Sequence, residues 1–150
     1  MKFEQIRILR ENKNLKQREI AKALNVERST YAGWETGRDP IPLRKLNDLC
    51  EFHKVTFDYI TGISNFNNYK DNKEKNINIE VLSNNLKKLR EIENLMQKDL
   101  CMLLNVSSSS YSEYENGKVL IPTLFLYKIA KTYNYSIDWI LGKKKINKKQ

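Results

Sequence analysis

Shifted by 80 residues, the chain aligns with itself without a gap: residues 6–62 and 86–142 share 19 identities in 57 positions. Leu9, Arg10 and Glu11 fall on Leu89, Arg90 and Glu91, and Leu24, Asn25 and Val26 fall on Leu104, Asn105 and Val106. Glu35 and Gly37 fall on Glu115 and Gly117, Ile41 and Pro42 on Ile121 and Pro122, and Asp58, Ile60 and Gly62 on Asp138, Ile140 and Gly142. Many of the other positions are like-for-like swaps, such as Ile20 against Leu100 and Trp34 against Tyr114. A period of this kind means one structural unit used twice. It also limits each unit to about 60 residues, close to the smallest size that folds alone. The expected organisation is a first unit at 1–62, a linker at 63–80, a second unit at 81–142 and a basic tail at 143–150. The linker is rich in Asn, Lys and Asp and lacks apolar periodicity. Alternatively, Ile77, Ile79 and Val81 extend the second copy backwards.

A unit this small with no disulfide framework must be built from well-packed helices, and the apolar spacing supplies them. In the first copy Ile6 and Leu9 form one stripe, and Ile20, Ala21 and Leu24 a second. Tyr31 and Trp34 form a third, Leu46, Leu49 and Cys50 a fourth, and Phe57 and Ile60 a fifth. Pro42 and Pro122 suit a first helical turn, and Gly37 and Gly117 a helix end. Thr56 and Ser136 are placed to cap the last short helix, with Asp58 and Asp138 at its positive end. No valine-rich alternation points to strands. The expected fold is all-α, with two tandem five-helix domains.

The chain carries 27 Lys and Arg against 18 Asp and Glu, a net +9, and five of the excess charges lie in residues 143–150. Such a tail attracts phosphate without reading sequence. No stretch approaches about 18 apolar residues, so no spanning helix and no membrane role is expected. The charged start, MKFEQIRILRENKN, does not read as a secretory signal. Two cysteines, Cys50 and Cys101, sit on apolar stripes and read as packed thiols in a reducing cytoplasm. The single histidine, His53, stands near a helix end where positive charge is welcome, with no nucleophile to pair with. Neither a metal site, a cofactor nor an enzyme is expected.

In each copy two short helices meet at a tight turn: QREIAKAL-NV-ERSTYAGWETG and QKDLCMLL-NV-SSSSYSEYENG. The turn needs a residue tolerant of left-handed backbone angles, which Asn25 and Asn105 provide. The helix crossing needs a small side chain, which Ala21 and Cys101 provide. Each copy resembles the helix-turn-helix domain of the phage-repressor and Cro (XRE) family. The likeness rests on the opening Gln17 and Gln97, the small residue four on, and Asn in the turn. It rests also on the Trp34-Glu35-x-Gly37 and Tyr114-Glu115-x-Gly117 endings and on a later Pro-initiated helix closing on Asp58 to Gly62 or Asp138 to Gly142. It covers both copies and leaves out only the linker and the tail.

The resemblance implies that the second motif helix enters the major groove of double-stranded DNA and presents its first turns to base edges. In the first copy the reading positions are Arg28, Ser29, Ala32 and Gly33. Arg28 is suited to bond a guanine edge twice, worth about 1–3 kcal/mol of discrimination. Gln17, Arg38 and Arg44 are expected on phosphates, setting register rather than sequence. The resemblance also implies an internal ion pair, Arg10 with Glu35 and Arg90 with Glu115. Trp34, Tyr114 and Trp139 are read as core residues. In the second copy the reading face is Ser108, Ser109, Ser112 and Glu113, with Gln97 and Lys118 towards phosphate, and Ser107 is read as the helix cap. Glu27 takes the corresponding cap position in the first copy.

The copies are not equivalent. Six of the seven arginines lie in the first, and the second keeps only Arg90. Where the first has Arg44, Lys45 and Asn47, the second has Leu124, Phe125 and Tyr127, which suggest a contact surface for a homodimer. Both copies depart from the family before the opening Gln, where Lys16 and Met96 replace a capping Ser or Thr, a loss of about 0.5–2 kcal/mol. The expected function is a sequence-specific transcription regulator, a repressor, with the first copy as main reader. The alternative is an antitoxin-like or antirepressor-like module whose second repeat binds a partner or a second copy. The 18-residue linker extends to at most about 60 Å, enough for one chain to engage two half-sites about 34–36 Å apart.

Overall fold

The computed structural model describes residues 1–145, so residues 146–150 of the basic tail lie outside the described residues. Every regular element among the described residues is a helix. The chain divides into two compact units between Lys75 and Asn76. The first holds α1 (Glu4–Asn12), α2 (Gln17–Ala23), α3 (Arg28–Thr36), α4 (Leu43–His53) and α5 (Phe57–Ile60). The second holds α6 (Ile79–Ile92), α7 (Gln97–Leu104), α8 (Ser108–Glu115), α9 (Thr123–Tyr133) and α10 (Ile137–Ile140). The tandem five-helix expectation is met in both units.

The sequence stripes form the cores. Ile6, Ile20, Tyr31, Leu46, Leu49, Phe57 and Ile60 are buried in the first unit, and Leu86, Leu89, Leu100, Tyr111, Leu126 and Ile140 in the second. Each such side chain contributes about 1.5–3 kcal/mol by leaving water. The helix ends follow local chemistry. Thr56 accepts from the Tyr59 N–H at 3.1 Å and Ser136 from the Trp139 N–H at 3.2 Å. Pro42 and Pro122 stand at the capping position rather than in the first turn, one residue earlier than expected. Gly37 closes α3 with φ 78°. Helix α6 starts five residues earlier in repeat register than α1, because Asn78 accepts from the Glu80 and Val81 N–H groups and Leu82 supplies one more buried apolar position.

Four expectations are corrected. Tyr127 is buried and Leu124 and Phe125 are half-buried, so they offer less open apolar surface than expected. The reason is aromatic packing: the Phe125 ring lies 6.4 Å from that of Tyr114, and the phenol of Tyr127 accepts from Lys131 at 3.2 Å. Trp139 is half-buried rather than core, its ring 5.7 Å from Tyr135. His53 does not welcome charge: burial, and then the nearby Lys13, push its pKa down to about 4.

The fourth concerns the connector. Asn67 donates to the Lys54 carbonyl at 3.0 Å and accepts from the Thr56 N–H at 3.2 Å. Tyr69 donates to Glu51 at 2.7 Å, and Asn47 donates to the Lys75 carbonyl at 2.7 Å. Residues 67–75 are therefore strapped along α4, from the residues just past its C-terminus back to Asn47, and while those bonds hold the 63–80 segment has less than the reach of a free tether. The second copy has Tyr127, Lys131 and Asn134 at the positions of Asn47, Glu51 and Lys54, so it does not repeat this seat.

Candidate nucleic-acid interface

The turn between α2 and α3 is set by Asn25, which takes φ 57°, and by the Val26 N–H donating to the Ala21 carbonyl at 2.9 Å. Ala21 is buried at the crossing, where a larger side chain would push the helices apart. Asn105, with φ 55°, and buried Cys101 reproduce this between α7 and α8.

What holds α3 at its angle is the buried ion pair. Arg10 donates from Nε to Glu35 Oε2 at 2.7 Å and from Nη2 to Oε1 at 2.9 Å, and its Nη1 donates to the Leu15 carbonyl at 2.8 Å. Burial raises the Glu35 carboxyl pKa, but the Arg10 hydrogen bonds and charge outweigh it, so Glu35 stays below the ordinary carboxylate range. Arg90 repeats the fork on Glu115, with Nε 2.9 Å from Oε2 and Nη2 3.1 Å from Oε1. Gln17 joins this network, donating to Glu35 at 3.4 Å. One N–H of its amide is thus turned towards the core pair, and the second donor of the amide is not used by that bond.

Of the expected reading residues, Arg28 and Ser29 are exposed at the first turn of α3 and Ala32 is half-buried behind them. Gly33 is the exception: it is buried beneath Arg38 and Asp39. Arg38 was expected to grip the backbone beside the groove. Instead its Nε and Nη2 donate to Asp39 Oδ2 at 2.9 and 2.8 Å, and Nη2 donates to the Ser29 carbonyl at 2.9 Å. The guanidinium therefore lies along α3 beside its first turn. Arg44 is exposed at the start of α4.

Three further cations frame the site. One cleft is lined by Arg10, Lys16, Gln17, Arg18 and Arg28, and a second by Arg18, Lys22, Asn25, Glu27, Arg28 and Thr30 among others. Arg18 and Arg28 line both. Lys16, Arg18 and Lys22 were passed over in the sequence, although their spacing puts them on α2 and its N-terminal edge, away from buried Ile20 and Ala21. The missing Ser or Thr caps are partly offset: Glu19 accepts from the Lys16 N–H at 2.9 Å and Asp99 from the Met96 N–H at 2.8 Å. Those carboxylates are the reciprocal half of a capping box.

In the second unit Ser107 caps α8, accepting from the Ser110 N–H at 3.2 Å. Ser108, Ser109, Glu113 and Lys118 are exposed, while Gln97 and Ser112 are half-buried. Ser112 accepts from Asn116 at 3.2 Å. Around this face three charges and one amide of the first unit are replaced by exposed apolar residues: Met96 for Lys16, Met102 for Lys22, Val119 for Asp39 and Ile92 for Asn12. No group of three or more His, Cys, Asp or Glu side chains able to hold a metal occurs among the described residues. Nor is any described helix long and apolar enough to cross a membrane.

Two short helices crossing over a small residue, a left-handed Asn turn and a buried Arg–Glu fork define a helix-turn-helix in each unit. Residues 6–60 match the family described as "Helix-turn-helix" and residues 83–146 the one described as "Helix-turn-helix domain". The chain belongs to the helix-turn-helix family of the phage-repressor and Cro (XRE) type, with two copies in tandem. It is also similar to the HTH-type transcriptional regulator ImmR of Bacillus subtilis (strain 168), with 34% identity over 68 residues, 45% of this chain and 54% of the relative. The match thus spans about half the length of that relative. No solved structure matches the chain significantly.

Proposed function

We propose that this chain is a cytoplasmic, non-enzymatic transcription regulator that reads double-stranded DNA with α3 of the first unit and acts as a repressor. One observation carries the reading. The exposed first turn of α3, with Arg28 and Ser29, is ringed by Lys16, Arg18 and Lys22, and the two clefts beside it share Arg18 and Arg28. Cations around a projecting helix hold the phosphate backbone, and the helix residues read base edges. Arg44 lies on an adjoining exposed turn and suits a phosphate contact. The description of the relative as a transcriptional regulator supports the same reading. Repression is the assigned direction because occupancy of a promoter blocks it without any further contact.

The second unit is proposed as a weaker reader, through Ser108, Ser109, Ser112, Gln97 and Lys118, opposed by the charge of Glu113. A second reading, self-association or partner binding as in antitoxin-like or antirepressor-like proteins, is favoured for this unit by exposed Met96, Met102, Ile92 and Val119. These positions replace Leu124, Phe125 and Tyr127 as the apolar candidates for a homodimer.

The test is selection of binding sites from a random duplex pool with the full chain, followed by titration of Arg28→Ala. Loss of 1–3 kcal/mol of discrimination corresponds to about a 5–150-fold weaker affinity for the selected site. Arg28 is exposed, so the thermal midpoint of the variant should equal that of the parent chain. Unchanged selectivity in Arg28→Ala would remove Arg28 as the reader.

A further inference from the structure

Arg38 and Asp39 form more than an exposed ion pair. Asp39 is fixed by its own backbone, its N–H donating to the Gly33 carbonyl at 3.1 Å. Its carboxylate takes two donors of Arg38 at 2.9 and 2.8 Å, and Arg38 Nη2 also donates to the Ser29 carbonyl at 2.9 Å. The seat exists because residue 33 has no side chain. A Cβ there would stand 2.1 Å from Asp39 Oδ2 and 2.6 Å from Arg38 Nη2. Glycine inside a helix costs about 0.5–1 kcal/mol relative to alanine, so its place under this pair needs a compensating use. The second unit has Glu113, Lys118 and Val119 at the three positions and lacks seat, fork and clamp together.

We propose that Arg38 is a second specificity-determining residue, a guanidinium pre-aimed at a base edge in the major groove, with Asp39 and Gly33 as its positioning residues. The proposal rests on the reading of α3 as the DNA-binding helix. Three of the five guanidinium N–H donors are committed to Asp39 and Ser29, which leaves both donors of Nη1 available. The held plane lies beside Ser29, at the turn of α3 that faces bases, rather than beyond the helix end where backbone clamps sit. Fixing the fork before binding removes the rotamer entropy that a free arginine loses on contact.

The sign of one substitution separates this role from simple charge. Asp39→Asn removes a negative charge near phosphates, so electrostatics alone would tighten binding to every duplex. A positioning role predicts the opposite for the selected site. With the full chain, Asp39→Asn and Gly33→Ala should each bind that site about tenfold more weakly and relax preference at one base position, with affinity for random duplex unchanged or increased. In an Arg38→Ala background, already weakened and relaxed at the same position, Asp39→Asn should add nothing. Three results would overturn the proposal. One is an Asp39→Asn chain that tightens on selected and random duplex alike with its base preference intact. Another is an Arg38→Ala chain that weakens on all sequences equally and lowers the salt slope by about one, the mark of a phosphate contact. The third, failure of the parent chain to bind any duplex, would end the α3 reading and this proposal with it, whereas the first two leave the α3 reading standing.

Discussion

Glu35→Ala is expected to destabilise the first unit by about 3–5 kcal/mol, the usual result of removing one partner from a buried pair. The Glu35 side chain is 3% exposed and that of Arg10 13%. Without the carboxylate, the guanidinium keeps one bond, to the Leu15 carbonyl, and most of a charge shielded from water. A unit of about 75 residues has about 4–11 kcal/mol of total stability, so the loss approaches the whole. The measurement is urea unfolding of the full chain, with amide hydrogen exchange reporting each unit separately. The first unit should lose protection while the second keeps it, and Glu115→Ala should reverse the pattern. Arg10→Met with Glu35→Leu should recover part of the loss, since an apolar pair of similar size leaves no stranded charge. A change below about 1 kcal/mol in Glu35→Ala would show that the pair does not hold α3.

Acidification should weaken the same unit before its carboxylates titrate. His53 is buried, neither of its ring nitrogens has a hydrogen-bond partner, and its pKa lies at about 4. An unfolded chain returns it to about 6.5. Between those values the unfolded state binds more protons, so the stability of the folded unit falls as the pH falls. The contribution is complete above about pH 6.5 and declines by about 1.4 kcal/mol per pH unit towards pH 4, about 3 kcal/mol in all. Unfolding free energies of the first unit at pH 7 and pH 5 should differ by roughly 2 kcal/mol. His53→Leu should flatten that dependence whatever it does to the absolute value. An unchanged slope in His53→Leu would place the sensitivity elsewhere.

Most of the fold was legible because the repeat reads each helix twice. Ile20 against Leu100 and Leu46 against Leu126 mark core positions by recurrence; Arg10 and Glu35 recur as Arg90 and Glu115, and it is the family resemblance that implies their pairing. Lys54 shows the limit: it ends α4 with φ 56°, a conformation disfavoured for lysine, and only its partner Asn134, with φ 63°, hinted at it. The attachment of the connector to α4 is not legible because Asn67, Tyr69 and Lys75 carry no periodicity. Their partners, Glu51, Lys54, Thr56 and Asn47, become visible only when α4 is folded.

The site was legible in its helix and less so in its side chains. Arg28 and Ser29 follow from helical phase, and both are exposed. The Gln17 bond to Glu35 and the places of Arg38 and Gly33 do not follow, because each depends on a residue distant in phase or outside the helix: Glu35 for the first, Asp39 for the other two. The apolar residues at 124–127 looked excessive when counted against one helix. Tyr114, at the repeat position of Trp34, has the Phe125 ring packed against it. The exposure of Met96 and Met102 is not legible in sequence, because methionine beside or on a helix reads equally well as core.

The claim on which the account depends is that the exposed turn of α3 meets duplex DNA. Amide hydrogen exchange of the full chain, free and saturated with its selected duplex, tests it directly. The account predicts added protection concentrated at residues 16–22 and 27–39, with smaller changes at 107–118. Protection confined to the second unit, or none at 27–33 under saturating duplex, would contradict it.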